Sequence, residues 1–328
     1  MKLSAFTVVD DLGPARDRYG EVLDLATTAE SAGLAGIWVA EHHFNPSGLC
    51  PSPPVLLAAC AGRTRRIRLG ALVSVLPFHR AVDVAEEYSL LDRLSGGRVN
   101  LGLGSGYIST EFEGFGVDPG SRHERFDRAY STVLDAMAGR EVVLGEAGSR
   151  PVRLNVLPVQ APHPPLWIAV QRREAIPFVA RRGTSIALIP YATVTDRAEL
   201  AEEVREYRAA LPAGSRAEVA VALHLYVGPE PERARRAYHD YLQARLSTQS
   251  THYQAKTARD PHHASAEALE RAGFALFGPA EDVVPRLRRF GEIGVDEVLG
   301  IFDFGGLSPD DALGSVRALG PAFAASAR

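Results

Sequence analysis

Three ionisable residues, Glu41, His42 and His43, stand side by side directly after the apolar run of residues 36–40. A histidine takes up and releases protons near neutral pH, and a neighbouring carboxylate can orient its ring. Along a regular strand Glu41 and His43 would share one face and His42 would point the other way, although a strand end relaxes this alternation. The three residues predict acid–base chemistry; the alternative is that they only orient one another and a loop.

Further polar residues follow other apolar runs. Glycines let the backbone approach a planar or charged ligand closely, and arginines bind phosphates through charge-assisted hydrogen bonds. Polar groups at the ends of several parallel strands would converge on one opening. These groups are Gly104, Ser105, Gly106, Tyr107, Gln171, Arg172, Arg173 and Asp303.

Apolar runs alternate with helical patterns along the chain. Continuous apolar strands separated by helices are typical of a parallel sheet. Eight such units in 328 residues predict an α/β fold, a (β/α)8 TIM barrel, as one domain over residues 1–328. An open doubly wound sheet is the alternative, but the chain lacks the spacing of its phosphate-binding glycines. The predicted strands are 3–9, 36–40, 67–77, 99–106, 165–170, 185–190, 218–228 and 296–302.

Two segments depart from this repeat. Residues 140–163 hold scattered strand-like pieces and several prolines, which predicts an excursion from the barrel after the fourth helix. Residues 247–266, between the seventh and eighth predicted strands, are polar and show little apolar periodicity. A stretch of this kind inside a compact domain is commonly functional or disordered, so it predicts either a lid over the barrel opening or a surface insertion.

The overall composition narrows the function classes. Hydrophobic residues make up 46% of the chain, enough for a large core, and a formal net charge of −4 gives no basic face for nucleic acid. No apolar stretch approaches the roughly 20 residues of a membrane span, and the first residues do not resemble a signal peptide. Cys50 and Cys60 show no metal-site spacing and fit a reducing compartment. We therefore expect a cytoplasmic protein without nucleic acid or membrane as partner.

Four stretches resemble the bacterial luciferase-like flavin monooxygenases, and the resemblance covers nearly the whole chain. Each stretch is moderately specific alone, and their order and spacing together are strong. The last is similar to the branch of that family found in natural-product assembly, in which a D-F-G-G string follows the final strand. The stretches are AEHHF (40–44), LGALVSVLPFHRAVDVAEEYSLLDRLSGGRVNLGLGSGY (69–107), FEGFGVDPGSRHERFD (112–127) and FGPAEDVVPRLRRFGEIGVDEVLGIFDFGGL (277–307).

The resemblance implies a two-component monooxygenase. Its barrel would bind reduced FMN supplied by a separate flavin reductase, and a C4a-peroxyflavin formed with O2 would oxygenate a small organic substrate. The resemblance also implies a homodimer, formed through the second and third helices, and a setting in secondary metabolism. It assigns the central catalytic role to His42 among the three residues after the second strand.

The resemblance also implies where the flavin lies. Leu72 and Val73, joined by a cis peptide bond, and Arg122 would lie beside it. Luciferase itself has an arginine at the position of Ser105, so in this chain Arg172 or Arg173 is the candidate for the phosphate charge. The alternative is that both arginines are solvated and the flavin is held weakly.

Three other functions stay open on the sequence alone. One is hydride transfer with a deazaflavin and no oxygen, and another is a flavin-binding paralogue without catalysis. The third is a zinc hydrolase that uses the histidines with Asp303; it is disfavoured because such barrels need a histidine pair on an early strand, and the first strand here has none. His79, after the third strand, is a candidate for the substrate pocket.

Overall fold

The computed structural model describes residues 1–11, 17–45, 48–144, 149–248 and 265–326. Within these ranges nine strands form one parallel sheet. The strands are β1 (Lys2–Thr7), β2 (Gly36–Val39), β3 (Arg68–Val75), β4 (Val99–Gly104), β5 (Leu166–Val170), β6 (Ser185–Leu188), β7 (Val219–Val227), β8 (Ala275–Gly278) and β9 (Glu297–Ile301).

Helices connect the strands and pack around the sheet. Among the helices in the described ranges, none combines the length and the apolar character needed to cross a lipid bilayer. The helices are α1 (Arg18–Ser31), α2 (Pro53–Arg63), α3 (Ala81–Ser95), α4 (Ser109–Gly114), α5 (Arg122–Met137), α6 (Ile176–Arg181), α7 (Pro190–Thr193), α8 (Arg197–Ala210), α9 (Pro231–Thr248), α10 (Ala266–Ala272), α11 (Ala280–Glu292) and α12 (Pro309–Ala325).

The sheet closes on itself, which confirms the predicted (β/α)8 barrel. β1 pairs with β2 on one side and with β9 on the other, β9 pairs with β7, and β7 pairs with β6. Each of the eight predicted strands overlaps a strand of this ring. The carboxyl ends of all eight strands therefore meet at one opening, where barrel enzymes carry their active sites.

One short strand of the described chain was not predicted. β8 is only four residues long and pairs with the end of β7, where Tyr226 lies opposite Phe277. Periodicity cannot identify so short an apolar run. The lid predicted at residues 247–266 falls almost entirely on residues 249–264, which lie outside the described residues, so it stays a prediction.

The predicted excursion after the fourth helical unit is present between α5 and β5. Its described residues form only an isolated antiparallel bridge between Val142 and Val152. Asp92 of α3 anchors its far end, because its carboxylate accepts the backbone N–H groups of Val159 (2.8 Å) and Gln160 (2.9 Å). The excursion is thus tied to the outside of the barrel.

Asp303 fastens the first and last strands together. Its Oδ2 accepts the hydroxyl of Thr7 at 2.6 Å and the guanidinium of Arg18 at 3.1 Å. Burial raises the pKa of this carboxyl, against the opposing charge of Arg18. Two residues later Gly305 has φ 59°, and a Cβ there would lie 2.4 Å from the carbonyl oxygen of Ala237. The D-F-G-G string therefore closes the barrel, and Asp303 does not join the histidines in a metal site.

Two tryptophans fill part of the barrel interior. Trp38 of β2 and Trp167 of β5 meet edge to face with ring centroids 5.3 Å apart, and both are buried. Gly70 of β3 makes room for Trp38, because a Cβ at this position would lie 2.1 Å from the indole ring.

We expect Gly70→Ala to lower the free energy of unfolding by about 1–3 kcal/mol, since the indole must leave its rotamer or the strand must shift. Denaturant unfolding followed by tryptophan fluorescence measures this loss. Gly62→Ala is the matched control: a Cβ at Gly62 of α2 meets no atom within 4 Å, so this variant should be as stable as the wild type or slightly more so. Equal stability of the two variants would contradict the packing described here.

Candidate active site

The strand ends surround a cavity of about 370 Å³. This volume falls within the range of roughly 300–1,000 Å³ that small-molecule sites occupy. Most of the residues predicted for the site line it; His43, His79, Arg173 and Asp303 do not. Those that do are Glu41, His42, Leu72, Val73, Gly104, Ser105, Gly106, Tyr107, Arg122, Gln171 and Arg172.

His42 is held by Glu111, a buried residue of α4. Nδ1 of His42 lies 3.0 Å from Oε1 of Glu111, and the same oxygen accepts the backbone N–H of His43 at 2.9 Å. Because this oxygen acts as an acceptor, Nδ1 of His42 carries the hydrogen. Nε2 is then the nitrogen left to exchange a proton with a ligand in the cavity.

The ring of His42 is also fixed by its packing. A Cβ at Gly48 would lie 2.6 Å from Cβ and Cδ2 of His42, so only glycine lets the loop cross the imidazole this closely. Tyr107 meets the ring edge-on at a centroid distance of 6.2 Å. The loop is held in turn by backbone hydrogen bonds from His42 to Cys50 (3.1 Å) and from Leu49 to Val9 (2.8 Å).

Glu41 and His43 form a second network on the other side of the chain, as strand alternation predicts. Oε1 of Glu41 accepts Nε2 of His43 at 3.1 Å and Nε2 of His79 at 2.8 Å, while Oε2 accepts the backbone N–H of Val75. Burial opposes ionisation of Glu41, but the hydrogen bonds from His43 and His79 outweigh it and keep the pKa of Glu41 below its ordinary value. The carboxylate is thus ionised, and both histidines donate to it.

Glu41, His43 and His79 are also the group of described residues whose ligand atoms lie close enough, within 4.8 Å, to share a metal ion. Both Nε2 atoms already donate hydrogen bonds to the carboxylate, so a metal would have to displace these protons. In this network both oxygens of Glu41 and one nitrogen of each histidine have a hydrogen-bond partner. Their arrangement therefore favours proton chemistry over a zinc hydrolase.

A cationic region forms another part of the cavity wall. Its charges are those of Arg122, at the start of α5, and Arg172, and His123 lies beside them. Burial and the charges of Arg122 and Arg172 lower the pKa of His123. Arg173 lies outside, where it pairs with Glu206 at 2.9 Å. Of the two arginines predicted for a phosphate, the structure thus places Arg172 at the cavity.

The remaining wall is largely apolar. The peptide bond between Leu72 and Val73 is cis, as expected. Gly104 lies against this segment so closely that a Cβ would be 2.4 Å from Val73. Further apolar lining comes from Phe6, Val8, Val75, Phe112 and Ile189. An apolar wall beside a cationic region fits a flat aromatic cofactor that carries a phosphate.

Sequence reasoning missed two residues of this site. Glu111 was missed because it is 69 positions from His42 in the chain and sits on a six-residue helix without a distinctive pattern. His123 was missed although it is the neighbour of Arg122. His79 lines a separate groove and contacts Glu41 of the cavity at 2.8 Å, so its predicted place in the substrate pocket stays a prediction.

We expect Gly48→Ala and Glu111→Ala each to release the imidazole of His42, because one displaces the ring and the other removes its acceptor. Nitrogen-15 NMR of histidine-labelled protein checks this, since the Nδ1 hydrogen of His42 should lose its protection from exchange in both variants. Gly314→Ala, at a glycine of α12 where an added methyl group would meet no atom within 4 Å, serves as the control and should keep the wild-type signal. An unchanged His42 signal in Glu111→Ala would refute the pairing.

Comparison with known proteins places this geometry in context. A family model described as luciferase-like monooxygenase matches residues 1–297. An uncharacterised protein of Sinorhizobium fredii, y4wF, is 37% identical over 58% of this chain and 57% of its own length. The oxygenase component of a flavin-dependent trigonelline monooxygenase from Acinetobacter baylyi is 25% identical over 88% of this chain and 84% of its own. The matched region thus spans little more than half of the first of these relatives.

Solved structures share the fold at low sequence identity. The monooxygenase RslO1 from Streptomyces bottropensis superimposes over 100% of both chains with a TM-score of 0.85 and 22% identity. The oxygenating constituent of 3,6-diketocamphane monooxygenase from Pseudomonas putida, solved with FMN, covers 99% of this chain and 98% of its own (TM-score 0.80, 17% identity). A coenzyme F420-dependent tetrahydromethanopterin reductase from Methanopyrus kandleri covers 100% and 99% (0.73, 15%). The same barrel thus occurs in proteins that differ in cofactor.

Proposed function

The chain belongs to the luciferase-like monooxygenase family, and from this premise we propose that it is an FMN-dependent oxygenase. It would use reduced FMN and O2 to oxygenate a small, largely apolar organic substrate. The observation that carries the proposal is the cavity itself, which joins an oriented histidine, an apolar cis-peptide segment and a cationic region.

Different residues of the cavity would bind different parts of FMN. Reduced FMN, when bound, supplies the electrons and activates O2. Arg122 and Arg172 would hold its phosphate through charge-assisted hydrogen bonds. Leu72 and Val73 would pack against the ring and keep water from it. Gly104, Ser105, Gly106, Tyr107 and Gln171 would complete the cradle with backbone and hydroxyl or amide groups.

His42 would manage the proton at the reacting centre. Its Nε2 can hold or release a proton in the cavity, while Glu111 keeps the ring in place. Glu41 lines the same cavity, and His43 supports Glu41 from behind. The acid–base role predicted from these three residues thus belongs mainly to His42.

Several features support a two-component enzyme of secondary metabolism. The relative from Acinetobacter baylyi is named an oxygenase component, which favours a separate flavin reductase for this chain. Val55 of α2 and Leu90 and Leu94 of α3 expose large apolar side chains, which favours a homodimer through these two helices. The predicted cytoplasmic location agrees with the free thiols of Cys50 and Cys60.

A deazaflavin enzyme is the second candidate, because the barrel also resembles an F420-dependent reductase. The two candidates differ in their use of oxygen. Titration with FMN and with coenzyme F420, each oxidised and reduced, should show tighter binding of FMN. Tighter binding of F420, with hydride transfer and no use of O2, would replace the proposal by this alternative.

We expect the wild-type protein, given reduced FMN and isotopically labelled O2, to incorporate one labelled oxygen atom into a member of a substrate panel. Cyclic ketones, alkanals, terpenes and aromatic amines form a suitable panel, and mass spectrometry detects the product. His42→Ala should keep its FMN affinity and lose roughly 100-fold or more of the rate of product formation. FMN binding without labelled product from any class would instead indicate a non-catalytic paralogue.

Arg172 and Arg173 provide a matched pair for the phosphate. We expect Arg172→Ala to weaken FMN binding by about tenfold to a hundredfold, because a charge-assisted hydrogen bond is lost. Arg173→Ala removes the same charge from a side chain outside the cavity and should leave the affinity within about twofold of wild type. Quenching of flavin fluorescence measures both, and equal effects would refute the assignment of Arg172.

A further inference from the structure

His79 and Glu41 stand in the wall between two cavities. Glu41 lines the cavity that contains His42, and His79 lines a second, more open groove of about 490 Å³. The side chain of Glu41 is 1% exposed and that of His79 is 30% exposed. A single hydrogen bond of 2.8 Å therefore connects a solvent-exposed ring to a buried carboxylate of the candidate active site.

We propose that His79 and Glu41 conduct protons from the outer groove to the active-site cavity. The inference rests on the oxygenase function proposed above, because oxygenation consumes a proton. The reduced flavin anion, O2, the substrate and one proton give oxidised flavin, the oxygenated product and one water molecule. A site that excludes bulk water needs a defined path for that proton. His79 delivers the proton to Glu41 and does not line the cavity itself, so its role is to position the proton for Glu41.

In the resting pair the proton stays on His79, and it moves to Glu41 only when turnover draws a proton from the cavity. Glu41 is ionised, so Nε2 of His79 carries a hydrogen that points at Oε1. Burial would lower the pKa of His79, but the hydrogen bond to Glu41 and its charge outweigh burial and raise it. The charged imidazolium can hand its Nε2 proton to Oε1, which leaves a neutral ring and a neutral carboxyl. The carboxyl then releases the proton into the cavity. The neutral ring turns its open Nε2 toward the groove, takes a proton from water there and returns to Glu41.

Other charged groups around His79 influence its protonation but do not connect the groove to Glu41. Asp83 and Glu87 of α3 favour the charged ring, and Arg125 and Arg128 of α5 line the same groove. His43 shares the carboxylate with His79, at a ring centroid distance of 6.5 Å. His43 is buried against Phe78 and Phe115 and does not line the groove, so it holds Glu41 in place and the route to solvent runs through His79.

The first test uses the protein without flavin. NMR titration of labelled histidines should give His79 a pKa above its ordinary value in the wild type and a lower one in Glu41→Gln, because the neutral amide no longer stabilises the charged ring. The same pKa of His79 in both proteins would overturn the link. This readout does not depend on oxygenation, so it separates failure of the link from failure of the proposed function.

The second test follows turnover against pH with the substrate that the wild type accepts. His79→Gln keeps a donor for Glu41 but cannot carry a proton, so kcat should fall about tenfold or more while KM and FMN affinity stay unchanged. Added imidazole should restore His79→Ala by entering the groove, and should not restore His79→Gln, in which the glutamine fills the site. His239→Gln, at an exposed histidine of α9, is the control and should behave as wild type. A wild-type kcat in His79→Gln, or no rescue of His79→Ala, would overturn the proposal.

Discussion

Buried histidines held by buried acidic side chains are the interaction on which this site depends. Beyond β2 the chain alternates, with Glu41 and His43 on one side and His42 on the other. Each side meets a partner from another part of the chain, Glu111 in one case and His79 in the other. An unpaired buried ionisable group is far more costly than a paired one. The two networks therefore exist only in the folded barrel, which brings their partners together.

The sequence carried most of the information on the barrel. Strands that are buried on both faces must be apolar throughout. Eight such runs separated by helical patterns therefore indicate a (β/α)8 barrel from the residue pattern alone. The same logic placed the polar residues at the strand ends around one opening. β8 was not predicted because an apolar run of four residues is too short to show a period. Its pairing with the end of β7 also depends on the folded structure and leaves no pattern in the sequence.

The finer geometry of the site could not be read from the sequence. Arg172 and Arg173 are adjacent and chemically identical, and only the local backbone decides which one reaches the cavity. Glu111 is one acidic residue among many until the fold brings it to His42. The resemblance to known flavin enzymes supplied two expectations that composition and spacing lacked: a catalytic role for His42, which stays a prediction, and the cis bond after Leu72, which the structure contains. Contacts between residues that are distant in the chain thus could not be predicted from the sequence.

The D-F-G-G string, by which this chain is easily recognised, stabilises the fold. Asp303 of the D-F-G-G string ties Thr7 and Arg18 to the last strand, and Gly305 lets the backbone pass Ala237 closely. A search that weights this string will gather barrels that close in the same way, whatever reaction they catalyse. The residues that face the cavity after β2 and β5 are a better guide to substrate class. Two related proteins can share the D-F-G-G string and still differ at these positions, and therefore in the reaction they catalyse.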